Sequence, residues 1–276
     1  MSVHPLPWHL VDIWWDIKSP AEEFKSFSME ISLDKDMPAD HFNLYVAPIS
    51  GGFEDGTDFY GGLQTNIGGY PASKPEDQSG PYHKGKGGIF SRWGEHLDLS
   101  FVRSEPDGFV EAAGYEGDFV SGRRPYPWKA GSYIFEIRRL PRTKGDDKAS
   151  SWLGAFVTDK ATGATSRIAS LKFPGHRLRF KNSFASFVEF YGGKEVDIPS
   201  LPALEIRFSR PLLNDKPVAL LRISASHPHG ADALAAPALI RAELSADGSQ
   251  VLCRLSSRVL TDRPNDYSLY PKKSRP

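Results

Sequence analysis

The sequence predicts an all-β fold, a two-sheet antiparallel sandwich with little helix. Three observations predict it. Short runs of alternating apolar and polar residues recur from Phe27 onward, the period of a strand with one buried face. Aromatics make up 12% of the 276 residues, with 17 Phe, 10 Tyr and 6 Trp, side chains that suit a pleated surface. The 25 Gly and 22 Pro fall between the apolar runs, where turns are needed, and form no low-complexity tract.

Taken in order, the N-terminal cluster Trp8, Ile13, Trp14 and Trp15 is too apolar for a free end and is expected to dock on the sandwich or form a subunit contact. Ser19 followed by Pro20 reads as the cap and first position of a single helical turn. Strands are expected at 27–33, 42–46, 59–66, 88–93, 97–103 and 109–113. The run from Ser132 to Arg139 shows clean period-two alternation. Further strands are expected at 152–158, 165–173, 185–191, 203–208, 218–223 and 249–254. Turn signals separate them, among them Pro106-Asp107-Gly108, Thr162-Gly163 and Asp247-Gly248. The segment 68–87 is rich in Gly and poor in apolar residues, so a long surface loop is expected there. A polar stretch at 141–150 fits a hairpin tip. The expected organisation is one domain over 1–260, including the docked N-terminal segment, and a tail over 261–276. A dozen or so strands of this length suit a sandwich or jelly roll.

Charge and cysteine content narrow the function classes. Lys and Arg total 34, as do Asp and Glu, so no basic excess marks a nucleic-acid binder. Cys253 stands alone in a strand-like run, where a small core residue is expected. No basic segment precedes a long apolar one, and no run approaches 18 apolar residues. Neither a signal peptide nor a membrane partner is expected, and the expected location is cytoplasmic unless a leader has been removed. The eight His are scattered, with His227 and His229 the one close pair, a weak metal signal.

Three stretches concentrate candidate chemistry. In Asp58-Phe-Tyr-Gly-Gly-Leu-Gln-Thr-Asn66, Tyr60, Gln64 and Asn66 share one strand face, which suits hydrogen bonding to hydroxyl groups. In 87–95, Phe90 and Arg92 face one side and Trp93 the other; a Trp can stack on a sugar or fill the core. In 114–128, Glu116, Arg123, Arg124, Tyr126 and Trp128 follow closely on Glu111. They can form a structural ion pair, or a carboxylate that moves protons beside an Arg that binds an anion. Glu54, Asp55 and Asp58 collect beside Gly56, where Ca²⁺ is the conceivable ligand, though the acidic ladder of an EF-hand is absent. No other cofactor is expected.

Together, YGGLQTN, GIFSRW and GYEGDFVSGRRPYPWKAGSYIFEI resemble the domain-of-unknown-function-3472 family, as do the later SWLGAFVTDKATGATSRIASLKFPG and SFVEFYGG. The resemblance spans roughly residues 8–210 and implies a lectin-like, concanavalin-like or jelly-roll sandwich associated with carbohydrate. It implies no particular reaction. A looser likeness to jelly-roll polysaccharide lyases implies parts for Gln64, Arg92, Arg124 and Tyr126, without an evident His base.

The expected function is therefore carbohydrate binding, with a small-molecule or oligosaccharide partner in an aromatic and amide-lined groove. The expected ligand-binding residues are Tyr60, Gln64, Asn66, Arg92, Trp93, Arg123, Arg124 and Trp128. One alternative is an enzyme of lyase or hydrolase type using Glu116 or Glu111 with Tyr126 and Arg124. A second is a scaffold without a small ligand, which expects the Gln64 and Trp93 faces to be buried between the sheets.

Overall fold

The structure is a computed structural model that describes residues 8–19, 23–37, 43–68, 85–113, 118–191, 198–228 and 238–270. In chain order the strands are β1 (Trp8–Ile17), β2 (Ser26–Leu33), β3 (Asn43–Gly52), β4 (Asp58–Gln64), β5 (Gly87–Trp93), β6 (Val102–Ser104) and β7 (Phe109–Ala113). They continue as β8 (Phe119–Pro125), β9 (Gly131–Arg139), β10 (Ser150–Asp159), β11 (Thr165–Pro174), β12 (Ser183–Tyr191) and β13 (Leu204–Ser209). The last are β14 (Leu212–Leu213), β15 (Lys216–Pro217), β16 (Leu220–Ser226), β17 (Ile240–Leu244), β18 (Gln250–Leu255) and β19 (Asp266–Tyr270). No α-helix occurs among the described residues.

The strands form two antiparallel sheets packed face to face. The first has nine strands in the order β19-β16-β1-β12-β3-β4-β5-β8-β7. The second is ten-stranded and runs β17-β18-β13-β2-β9-β10-β11-β6, with the short β14 and β15 at its side. Alternation explains the inner faces. In β2, Phe27, Met29, Ile31 and Leu33 are buried, and in β9, Tyr133, Phe135 and Ile137 are. An aromatic cluster of Phe24, Phe53, Phe59, Phe173, Phe180 and Phe184 fills one end of the core, in edge-on and tilted contacts. Toward β8 the sheets approach so closely that a Cβ on Gly122 would sit 2.3 Å from the Cβ of Ala169.

The ten-stranded sheet closes its outer face with cations. The Arg103 guanidinium lies 3.7 Å from the ring centre of Trp152, and Arg138 lies 3.9 Å from that of Phe156. Such stacking shields an aromatic from water while leaving the charge solvated.

Several local expectations are corrected. The N-terminal cluster belongs to a full strand: β1 lies inside the nine-stranded sheet, hydrogen-bonded to β12 and β16. The expected strand at 97–103 is a short 3-10 turn, Leu99–Phe101, capped by the Asp98 carboxylate on the Ser100 amide, followed by the short β6. The expected tail contains β19, because Tyr267 and Leu269 alternate against the sandwich. Residues 20–22 and 69–84, which carry the expected helical turn and most of the long loop, lie outside the described residues.

Candidate ligand-binding face

The candidate site lies on the face of the nine-stranded sheet turned away from the second sheet. Strand period fixes its members. Phe59 and Leu63 point into the core, so Tyr60 and Gln64 point out; Phe90 points in, so Ile89, Ser91 and Trp93 point out. Across β8 and β7 the same reasoning places Phe119, Ser121, Arg123, Phe109 and Glu111 outward. On the other flank it places Tyr45, Phe187 and Glu189 there, together with His9 of β1.

These residues form two features. The first is a continuous aromatic row across six adjacent strands. His9 of β1 meets Phe187 of β12 at 5.2 Å between ring centres, and Phe187 meets Tyr45 of β3 edge-on at 5.0 Å. Tyr45 meets Tyr60 of β4 at 5.6 Å, Tyr60 meets Trp93 of β5 at 4.4 Å, and Trp93 meets Phe119 of β8 at 6.3 Å. Five strand spacings make this row roughly 24 Å long. Phe187, Tyr45 and Phe119 are buried, whereas His9, Tyr60 and Trp93 are half-buried. Unlike Trp152 on the opposite sheet, Trp93 carries no cation over its ring among the described residues.

The second feature is a set of polar groups beside that row. Tyr60, Ser91, Ser121 and Glu111 stand directly opposite one another across β4, β5, β8 and β7, with the two serine hydroxyls hydrogen-bonded at 2.8 Å. Glu111 and Arg123, 1% and 6% exposed, form an ion pair at 2.8 Å. Arg123 also donates to the Gly68 carbonyl and lies 5.8 Å from the ring centre of Phe109, while its Nε has no hydrogen-bond partner among the described residues. Gln64 stands opposite Tyr45, and its side-chain amide makes no hydrogen bond among the described residues. The Tyr45 hydroxyl is buried and likewise has no partner among them. Burial holds the Tyr45 phenol well above its ordinary pKa; Tyr60 and Glu189 add to the shift and Arg123 opposes it.

The structure brings together Tyr60, Gln64, Trp93, Arg123 and Glu111 from the expected set. Arg92 belongs to the opposite face: its guanidinium donates to the Lys172 carbonyl and lies over Phe173 at 5.0 Å. Burial lowers its pKa to about 10, against the opposing influence of Asp55. Trp128 is a core residue, with its indole N–H donating to the Gln64 carbonyl at 3.0 Å and the Lys86 ammonium over its ring. Arg124 is held at the sheet's inner side by Asp107 at 2.7 Å and the Arg167 carbonyl at 2.8 Å. Tyr126 packs edge-on against Tyr133 of the second sheet, and burial pushes its pKa to about 12. Asn66 ties loop ends together, accepting from the Gly85 amide and receiving the Asn43 side-chain oxygen on its own N–H. Glu116 lies outside the described residues.

The three candidate Ca²⁺ ligands have separate partners. Glu54 faces Arg179 at 3.6 Å, Asp58 pairs with Lys181 at 2.5 Å, and Asp55 accepts the Thr57 amide. No group of three or more His, Cys, Asp or Glu placed to hold a metal occurs among the described residues. His227 is buried with Nδ1 against the Leu10 carbonyl, and His229 lies outside the described residues. Burial pushes the Cys253 thiol up, so it stays protonated.

Tyr45, Phe187, His9 and Phe119 were not singled out from the sequence. In β3 buried residues flank Tyr45 on both faces of the strand, so apolar periodicity alone does not reveal which ring faces out.

No family model matches the sequence, and no curated protein matches it. Among solved structures, the chain is similar to Scytalido-glutamic peptidase with a peptide-based transition-state analogue. The identity is 9% and the TM-score 0.39, covering 90% of this chain and 98% of that one. It is similar to SCP-B, a member of the Eqolisin family of peptidases, at 9% identity and TM-score 0.34, with coverage of 90% and 98%. It is also similar to the marine PL-14 alginate lyase from Aplysia kurodai, at 12% identity and TM-score 0.34, over 63% of this chain and 64% of that one. At TM-scores this low the likenesses carry no assignment of activity.

Proposed function

We propose that the outer face of the nine-stranded sheet binds an oligosaccharide along the aromatic row. The observation that carries this reading is the row itself, six rings in unbroken contact across six adjacent strands. Half-buried Tyr60 and Trp93 offer flat apolar surfaces to sugar C–H faces. Beside them, the Gln64 amide supplies a donor and an acceptor for hydroxyl groups, and Arg123 supplies a cation already balanced by Glu111. Glu111 and Glu189 stand on strands five spacings apart, roughly 24 Å. That exceeds the separation of about 5–9.5 Å at which two carboxylates cleave a glycosidic bond together.

The test is a thermal-shift screen with neutral and uronate oligosaccharides, followed by calorimetric titration of whichever sugar shifts the transition. Trp93→Ala should weaken that sugar at least tenfold, about 1.4 kcal/mol. A flat panel, or full affinity in both Trp93→Ala and Tyr60→Ala, removes the reading.

A second reading is favoured by one observation, the buried Tyr45 hydroxyl without a partner. In it the protein transforms the bound sugar, by lyase or hydrolase chemistry, with the phenol as proton donor. Turnover of the bound sugar that Tyr45→Phe abolishes, with affinity unchanged, would select it; binding without turnover would leave the first reading alone.

A further inference from the structure

The outer face of the nine-stranded sheet carries a further exposed indole, away from the aromatic row. Ile13 and Trp15 of β1 point into the core, so Trp14 between them points out. Trp15 is buried, stacked on Phe184 and hydrogen-bonded to the Ser186 hydroxyl at 2.9 Å. Trp14 is 41% exposed. Strand register leads straight from it to Tyr60. Trp14 lies opposite Ala185 of β12, Ala185 opposite Ser50 of β3, and Ser50 opposite Tyr60 of β4. Directly opposed residues share a face, so no large side chain stands on the register line between the two rings. Three strand spacings separate Trp14 from Tyr60 and four separate it from Trp93, roughly 14 and 19 Å.

The charges of this face are one-sided. Its strands point six acids outward, Asp12, Asp16, Asp58, Glu111, Glu189 and Asp266, against two Lys or Arg, Arg123 and Arg222. Both cations already have a carboxylate: Arg123 pairs with Glu111 at 2.8 Å and Arg222 with Asp16 at 2.6 Å. A ligand carboxylate needs a cation of its own, and here it would meet a field of its own sign. Asp12 and Asp16 stand two residues to either side of Trp14 on the same face. Their positions are fixed, Asp12 by His9 at 2.7 Å and Asp16 by Arg222 and the Ser183 hydroxyl. An ionised carboxylate accepts hydrogen bonds and donates none, so the groups it recognises are donors such as sugar hydroxyls.

We propose that the ligand of this face is an uncharged, extended oligosaccharide that runs across the strands from Trp93 and Tyr60 to a second stacking platform at Trp14. The proposal rests on the oligosaccharide reading above and narrows it in charge and length. An extended pyranose chain advances by about one strand spacing per unit, roughly 5 Å, so about five units cover β5, β4, β3, β12 and β1. The end unit then lays a C–H face on the Trp14 indole, with hydroxyls toward Asp12 and Asp16.

The probes are the neutral hexamers cellohexaose, xylohexaose and mannohexaose, with the trimer of each and hexagalacturonate as controls, read by calorimetric titration of the full chain. At least one neutral hexamer should bind tenfold or more tighter than its own trimer, and hexagalacturonate should not bind. Trp14→Ala should bring that hexamer down to the trimer's affinity and leave the trimer unchanged, whereas Trp14→Tyr should keep the hexamer's advantage. The length ratio is measured on the wild-type chain, so it decides the matter even if Trp14→Ala fails to fold. Equal affinity for trimer and hexamer, hexagalacturonate binding as tightly as the neutral hexamer, or full hexamer affinity in Trp14→Ala would each overturn the proposal. If the trimer still depends on Trp93 in those cases, the oligosaccharide reading stands and only its extension to Trp14 or its charge preference falls. If no chain of either charge binds, both fall together.

Discussion

Replacing Glu111 with Gln tests the electrostatics of the candidate face directly. The substitution keeps the side chain's shape and removes its charge. Arg123, 6% exposed, then keeps the Gly68 carbonyl as an acceptor but loses its counter-ion at 2.8 Å. Breaking a buried pair from one side costs about 3–5 kcal/mol, because the remaining charge stays desolvated. The surviving carbonyl contact argues for the lower end, about 3 kcal/mol, which in a chain of this size lowers Tm by roughly 6–12 °C. Urea unfolding at neutral pH should show the midpoint falling with the slope unchanged. A companion double variant, Glu111→Leu with Arg123→Met, should recover most of the loss, since well-packed apolar residues replace such pairs at little cost. A loss under about 1 kcal/mol for Glu111→Gln would refute the reasoning, because that is the range of an exposed, water-screened pair.

Two further predictions concern packing and acid stability. Gly122→Ala should destabilise by about 1–3 kcal/mol, as overpacking does, because its Cβ would meet that of Ala169 at 2.3 Å; adding Ala169→Gly should restore stability in the same urea assay, and a neutral single variant would place the sheets further apart than described. Asp146 is held at about 2, below its ordinary 3.8, by the Thr143 amide first and then by Arg103 and the Thr143 hydroxyl. A depressed carboxylate contributes stability that is present above the unfolded value and lost as pH falls through the folded one. Asp146→Asn should therefore flatten the decline of Tm between pH 3.8 and about 2; an unchanged slope in that window would sink the assignment.

The two-sheet fold was legible because β2 and β9 have one face in the core and one toward solvent, so Phe27-Ser-Met-Glu-Ile and Tyr133-Ile-Phe-Glu-Ile show their period openly. The same alternation put Tyr60 and Gln64 on one face and separated Trp93 from Arg92. It failed where both faces are buried: in β3, Tyr45 lies between the buried Leu44 and Val46, and in β12, Phe187 lies between the buried Ser186 and Val188. The aromatic row was also hidden by order. It requires β1, β12 and β3 to be adjacent, and nothing local to His9 announces a partner at Phe187. Trp128 illustrates the converse error. An indole near a glycine-rich loop looks available, but its N–H is taken by the backbone of Gln64, a partner 64 residues away.

The position of β1 sets the order in which the molecule can be built. The first strand is joined on one side to residues 183–191 and on the other to residues 220–226. Its Trp15 indole is hydrogen-bonded to Ser186, 171 residues downstream, and the Asp16 carboxylate accepts from Arg222, 206 residues downstream. During synthesis these residues stay uncommitted until partners 171 and 206 residues downstream have been made. Contacts of such long range slow folding, since loop closure must precede any gain from pairing. Until then Trp14 and Trp15 travel as an unpaired, sticky edge, the kind of segment that chaperones shelter. Trimming the N-terminus through β1 would remove an interior strand, leaving β16 and β19 severed from the other six.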